Sequence, residues 1–188
     1  MAANEPLVVF NPENVARGLQ LLESENVSSH PAYMELLNEP DIPLGKRVGK
    51  IAPSHAAKAV KPILEYNRVH NVTTLLAPAL SHPSGILDAE GCLTQFDGNC
   101  SGCMTSMEVP IIATHQYNLD AKGVVDSLRG IHARWPKHTI WVTELAPSTH
   151  ALNNCPMTLK QVGDWMETVV TGAAGLGYTV TTPGGKKE

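Results

Sequence analysis

Aromatic residues are scarce in this 188-residue chain, at 5%, and no apolar run approaches the roughly 20 residues that span a bilayer. A membrane is therefore not expected as a partner. The start, Met1-Ala2-Ala3-Asn4-Glu5-Pro6, lacks the charged and apolar regions of a signal peptide, so no export signal is expected in the sequence as written. Basic residues form no long run: the formal charge is −4 and the Lys186-Lys187 tail is a short pair, which argues against nucleic acid and favours a neutral substrate. No Gly-rich turn of the nucleotide-binding kind follows an apolar run, and Gly172 to Gly177 come after a helical pattern instead, so nucleotide binding has no support. Cysteine is sparse, with Cys92, Cys100, Cys103 and Cys155. Only Cys100-Ser101-Gly102-Cys103 is closely spaced, without the second pair or the histidines that zinc would want, so no metal is expected. Disulfides and inert thiols both remain open.

The chain does have apolar residues in quantity, at 43%, enough for the core of a single domain over residues 1–188. Short apolar runs alternate with helical periodicity throughout, which is the pattern of an α/β protein with a parallel sheet. Leu7-Val8-Val9-Phe10 reads as a strand, followed by a helix in which Val15, Leu19 and Leu22 form the buried stripe. Residues 33–38 read as the next strand. Ser54 is expected to cap a helix reaching His70, with Pro62 bending it or delaying its start. Further strands are expected at 72–77, 109–113, 139–143 and 178–180. The apolar content of the 139–143 strand suggests burial on both faces. Helices are expected around Ile86 to Phe96 and Val124 to Trp135, and after Thr158, where Gln161 completes a capping-box pattern. About six strands result, too few for a complete eight-fold barrel of about 250 residues. The expected fold is thus α/β, a partial or shortened (β/α)8 barrel.

Two of these strands run straight into a glutamate: Leu37-Asn38-Glu39-Pro40-Asp41 and Trp141-Val142-Thr143-Glu144-Leu145. In one parallel sheet, both carboxylates would leave at the end where such folds assemble their chemistry. Two carboxylates across one cleft suit a glycosidic bond, one protonating the leaving oxygen and the other facing the oxocarbenium-like centre. Asn38 is then placed to bond a sugar 2-hydroxyl. His115 and Tyr117, ending an intervening strand, are expected to donate hydrogen bonds to the second carboxylate.

With these residues together, the chain resembles the Asl1-like glycosyl hydrolases, glycoside hydrolase family 128, largely fungal and bacterial endo-β-1,3-glucanases. The likeness covers about residues 30–175. It rests on Leu36 through Asp41, Ala77-Pro78-Ala79, Phe96 through Cys103, Ile111 through Tyr117, and Ile140 through Glu144, in that order. The resemblance implies a (β/α)8 barrel cleaving with retention, with Glu39 as acid/base and Glu144 as nucleophile. Asn38, His115, Tyr117 and Trp141 are implied as substrate-binding or supporting residues. It also implies a β-glucan substrate, no metal or organic cofactor, a structural cysteine pair, and a secreted or cell-wall location.

This chain departs from the family in having His115-Gln116-Tyr117 where His-Trp-Tyr is typical, which removes an indole expected to stack on a sugar. Fewer strands precede Asn38 than the family barrel has, and the final helix is missing, so shortening at both ends is expected. Exposed strand edges would then favour instability or self-association. The alternatives to a hydrolase are a catalytically silent carbohydrate-binding or cell-wall protein and a truncated product with no independent role.

Overall fold

A computed structural model describes residues 17, 18, 20, 21, 31–41, 51–81, 86–147 and 156–177, with backbone alone for 86–90. Strands β1 (Tyr33–Glu35), β2 (Thr74–Leu76), β3 (Ile111–Tyr117) and β4 (Thr139–Ala146) alternate with helices α1 (Pro53–His70), α2 (Ile86–Asn99), α3 (Ala121–Arg134) and α4 (Leu159–Ala174). The strands lie in the order β1-β2-β3-β4, all parallel. This is the α/β class expected from the alternating pattern. The predicted strands at 7–10 and 178–180 lie outside the described residues.

Local chemistry explains where several elements begin. Pro53 opens α1, with Ala52 at the cap position making no side-chain bond; Ser54 is not the cap. A proline with fixed φ and no N–H suits a first helical turn and sets the start two residues earlier than a Ser54 cap would. The helix then runs through Pro62 to His70. At α4 the expected capping box is present, with the Thr158 side chain accepting from the Gln161 N–H and the Gln161 side chain accepting from the Thr158 N–H. The strands at 33–38 and 72–77 are shorter than the apolar runs suggested, although Asn38 still bridges to Ala79.

The strand period of two divides the sheet into two faces. On one face Leu75 and Ile112 join Val60, Ile63 and Leu64 of α1 in the main core, while Val142 and Leu145 pack on Val124, Leu128, Trp165 and Val169 of α3 and α4. The other face carries Leu76, Ile111 and Ala113, with Trp141 packed against them. Two strands separate β1 from β4, about 14 Å on a flat sheet. Yet the rings of Tyr33 and Trp141 lie 4.6 Å apart, centroid to centroid. The sheet therefore curls around this second face and makes it concave.

Expected burial of the 139–143 strand on both faces does not hold. Thr139, Thr143 and Glu144 are exposed, and β4 is an edge of the sheet among the described residues. An edge strand is covered on one side only, whatever its apolar content.

Helices α3 and α4 meet closely at Gly172, where an added Cβ would stand 2.6 Å from Val125 Cγ2. We expect Gly172→Leu to lower stability by about 1–3 kcal/mol through overpacking, with part of the loss recovered by Val125→Ala, read from thermal melts. A second prediction concerns His138, which is buried with Nε2 3.1 Å from the Met104 carbonyl and Nδ1 without a partner. Burial pushes its pKa below the ordinary 6.5, and the Met104 contact opposes that only in part. The unfolded chain takes up this proton more readily, so the contribution to stability is full above pH 6.5 and is lost as pH falls below it. Melting temperatures should therefore drop on acidification from neutrality, and the drop should be smaller in His138→Gln.

Candidate active site

The ends of β1, β3 and β4 bring Glu39, His115 and Glu144 together on the concave face. Glu39 follows β1 in a left-handed backbone conformation, φ 45°, which costs a non-glycine residue about 1–2 kcal/mol. The surroundings hold it there. Its N–H donates to the Ala79 carbonyl at 2.9 Å, the Pro40 carbonyl accepts from Ile51 N–H at 2.8 Å, and Asp41 Oδ1 accepts from Ser81 N–H at 3.0 Å. Such over-determined strain is found where a side chain must be aimed.

Glu144 depends on a different device. Down the β3–β4 ladder Thr114 pairs with Val142, but His115 pairs with Glu144, so Thr143 is an extra residue on β4. A bulge of this kind re-aims the side chains that follow it. Without it, strict alternation from the inward Trp141 would turn Glu144 outward, toward the helices. With it, Glu144 shares the face of His115, and Leu145 turns to the α3–α4 core.

His115 is the hub. Its side chain is 1% exposed, against 24% for Glu39 and 47% for Glu144, and Nδ1 lies 2.9 Å from Glu39 Oε1 and 3.7 Å from Glu144 Oε2. The expectation that His115 and Tyr117 donate hydrogen bonds to the second carboxylate is corrected for His115, which approaches Glu144 only as an ion pair. Its hydrogen bond goes to Glu39, because the left-handed turn at that residue brings its carboxylate closer than the bulged strand brings Glu144. One ligand atom from each of the three residues falls within 4.8 Å of the others, so the nearest Glu39 and Glu144 oxygens are no farther apart than that. A small cation would find two carboxylates and an imidazole nitrogen here.

The remaining candidates are placed as follows. Asn38 is exposed, beside Glu39. Tyr117 presents its ring edge-on to His115, centroids 6.1 Å apart. Trp141 is half-buried against Tyr33 and forms part of the floor. Gln116 corrects the expectation drawn from the missing indole: it is buried on the face opposite His115, donating to Thr114 Oγ1 at 2.9 Å. What stands at this position does not face the cleft.

Sequence reading missed Glu35. It lies on the concave side of β1, hydrogen-bonded to the Thr143 side chain and within electrostatic reach of Glu39, His115 and Glu144. The signal was present in the alternation of Tyr33, Met34 and Glu35, which puts Glu35 on the face opposite the core residue Met34. The cysteine pair is removed from this site: Cys100 and Cys103 form a disulfide, and the nearby Asp97 carboxylate accepts from Met104 and Thr105 N–H. Those bonds already occupy Asp97 and both sulfurs. Cys155 lies outside the described residues.

Comparison with known proteins bears on the fold and the family. A search of curated proteins finds no match. Among solved structures, the fold is similar to a glycoside hydrolase family 128 subgroup V exo-β-1,3-glucanase from Cryptococcus neoformans, with 18% identity and TM-score 0.55, covering 74% of this chain and 50% of that one. A subgroup VI exo-β-1,3-glucanase from Aureobasidium namibiae is similar at 21% identity and TM-score 0.55, covering 78% and 52%. Fungal β-1,4-galactanases are similar at 14% identity and TM-score 0.59, covering 93% and 59%. The chain thus spans between half and three-fifths of the length of these structures. The family model for the glycosyl hydrolase catalytic core matches residues 9–176, and the chain belongs to that family.

Proposed function

We propose that this chain is a glycoside hydrolase that cleaves β-1,3-glucan with retention, Glu39 serving as acid/base and Glu144 as nucleophile. The observation that carries the reading is the approach of the two carboxylates, oxygen to oxygen within 4.8 Å around His115. Retaining enzymes hold their carboxyl groups about 5–5.5 Å apart, whereas inverting enzymes leave about 6.5–9.5 Å for a water. The β-1,3-glucanase neighbours favour the substrate class. We read the curled sheet as a segment of a (β/α)8 barrel, a reading supported by the contact between Tyr33 and Trp141 across its concave face.

In this mechanism the Glu39 carboxylic acid gives its proton to the glycosidic oxygen as the bond to the anomeric carbon breaks. The more exposed Glu144 carboxylate attacks that carbon from the other face and forms a glycosyl ester. Glu39, now ionised, takes a proton from water, and the resulting nucleophile releases the sugar from Glu144. His115 suits both halves of the cycle, since at 2.9 Å its Nδ1 can accept from the acid or donate to the carboxylate. Asn38, beside Glu39, is read as a contact to the sugar 2-hydroxyl, and Tyr117 as a support to His115. The Cys100–Cys103 disulfide supports an oxidising, secreted or cell-wall setting.

The test is release of reducing sugar from soluble β-1,3-glucan, with β-1,4-galactan as the comparison substrate. Glu39→Gln and Glu144→Gln should each lower the rate by about 10²–10⁴-fold. Undiminished turnover in either variant overturns the assignment. Inserting one alanine between Thr143 and Glu144 should abolish turnover, because it moves Glu144 off the position opposite His115; unchanged activity would remove the strand register from the mechanism.

A further inference from the structure

Glu35 has no part in the two-carboxylate mechanism, yet it stands on the same concave face. It pairs in register with Leu76, whose side chain belongs to the apolar cluster of that face. The polar groups around it come from three elements: His115 from β3, Thr143 and Glu144 from β4, and Glu39 from the turn after β1. Thr143 is the extra residue of the bulge; it and Glu35 each stand two residues past the Trp141–Tyr33 ring contact that joins β4 to β1 across this face, which brings the Thr143 side chain to Glu35. The contact joins β1 to β4, which do not pair with each other in the sheet. Among the described residues, three carboxylates and a single imidazole thus share this end of the concave face.

We propose that Glu35 is a positioning residue for the Glu39 and Glu144 pair: it anchors the bulged Thr143 from the opposite strand and, through its charge, sets the pH range in which the pair works. The inference rests on the retaining-hydrolase reading. Two effects follow from the one side chain. As an acceptor for Thr143, Glu35 fixes the strand at the residue whose bulging out of the ladder keeps Glu144 opposite His115 and inward. As an acid, it adds a third negative charge to the cluster once it ionises. Burial raises its pKa above the ordinary 4.5; His115 and the Thr143 bond lower it, and Glu144 and Glu39 raise it. Protons then leave the cluster in steps that belong to the group and not to single residues.

A purely structural Glu35 is distinguishable from this. The amide oxygen of glutamine would still accept from Thr143, so Glu35→Gln keeps the anchor and removes only the charge. Removing a like charge makes the remaining carboxyls ionise more readily. The Glu35→Gln pH–rate profile on β-1,3-glucan should therefore move to lower pH by about half a unit or more. Glu35→Ala, which also loses the anchor, should lower kcat about tenfold further with little change in KM, and glutamine at this position should restore that part.

Titration of the full chain carrying ¹³C-carboxyl glutamate reads the coupling without turnover, the Glu35 signal being identified by its loss in Glu35→Gln. It should titrate above 4.5, and in Glu144→Gln its midpoint should fall. A pH profile of Glu35→Gln that superimposes on the parent, or a Glu35 midpoint that does not respond to Glu144→Gln, overturns the proposal. If the parent chain releases no sugar, the hydrolase reading falls, and the carboxyl titration alone decides whether Glu35 belongs to the cluster.

Discussion

The pairing between β3 and β4 governs the active end of this molecule through a slip of one residue. From Ile111 to Thr114 the two strands advance together; at His115 the partner becomes Glu144 instead of Thr143. Side chains alternate faces with a period of two, so a one-residue slip exchanges the inward and outward sets. Upstream of the slip Trp141 faces the concave floor and Val142 the helices; downstream Glu144 faces inward and Leu145 the helices. Straight pairing would have put a carboxylate into the α3–α4 core and an apolar leucine at the cleft. The bulge resolves the competition between a well-packed helix layer and a correctly aimed acid.

His115 exploits that geometry. A nearly inaccessible imidazole sits between a carboxylate on a strained turn and one on a bulged strand. Both carboxylates owe their direction to irregular backbone, one through a left-handed residue and one through an inserted residue. The imidazole itself sits in regular strand, with its backbone N–H bonded to Leu80. Rigid sheet thus supplies the hub, and local exceptions bring the acids to it.

Much of this was legible in the sequence, because hydrophobic period and caps are local properties. The α/β alternation, the capping box at Thr158 and the strand-end position of Glu39 and Glu144 all follow from spacing that the chain carries openly. What was not legible depends on register. Nothing in Trp141-Val142-Thr143-Glu144 announces which residue is extra, since that is decided by the partner strand. For the same reason spacing does not tell that His115 bonds Glu39 at 2.9 Å and only approaches Glu144 at 3.7 Å, that position 116 faces away from the cleft, or that Glu35 faces into it. The edge position of β4 was hidden because apolar content reports what a strand can bury, not how many neighbours cover it.

The left-handed backbone at Glu39 has a consequence for how the chain is maintained. Glycine or asparagine would occupy that φ with less strain, so a carboxylate there holds the fold above its lowest free energy. Stability alone would draw this position away from glutamate, and each such replacement would be sturdier but would leave no carboxylate beside His115. With Glu39 as the proposed acid, that strain is a trade of folding free energy for chemistry, written in one dihedral angle.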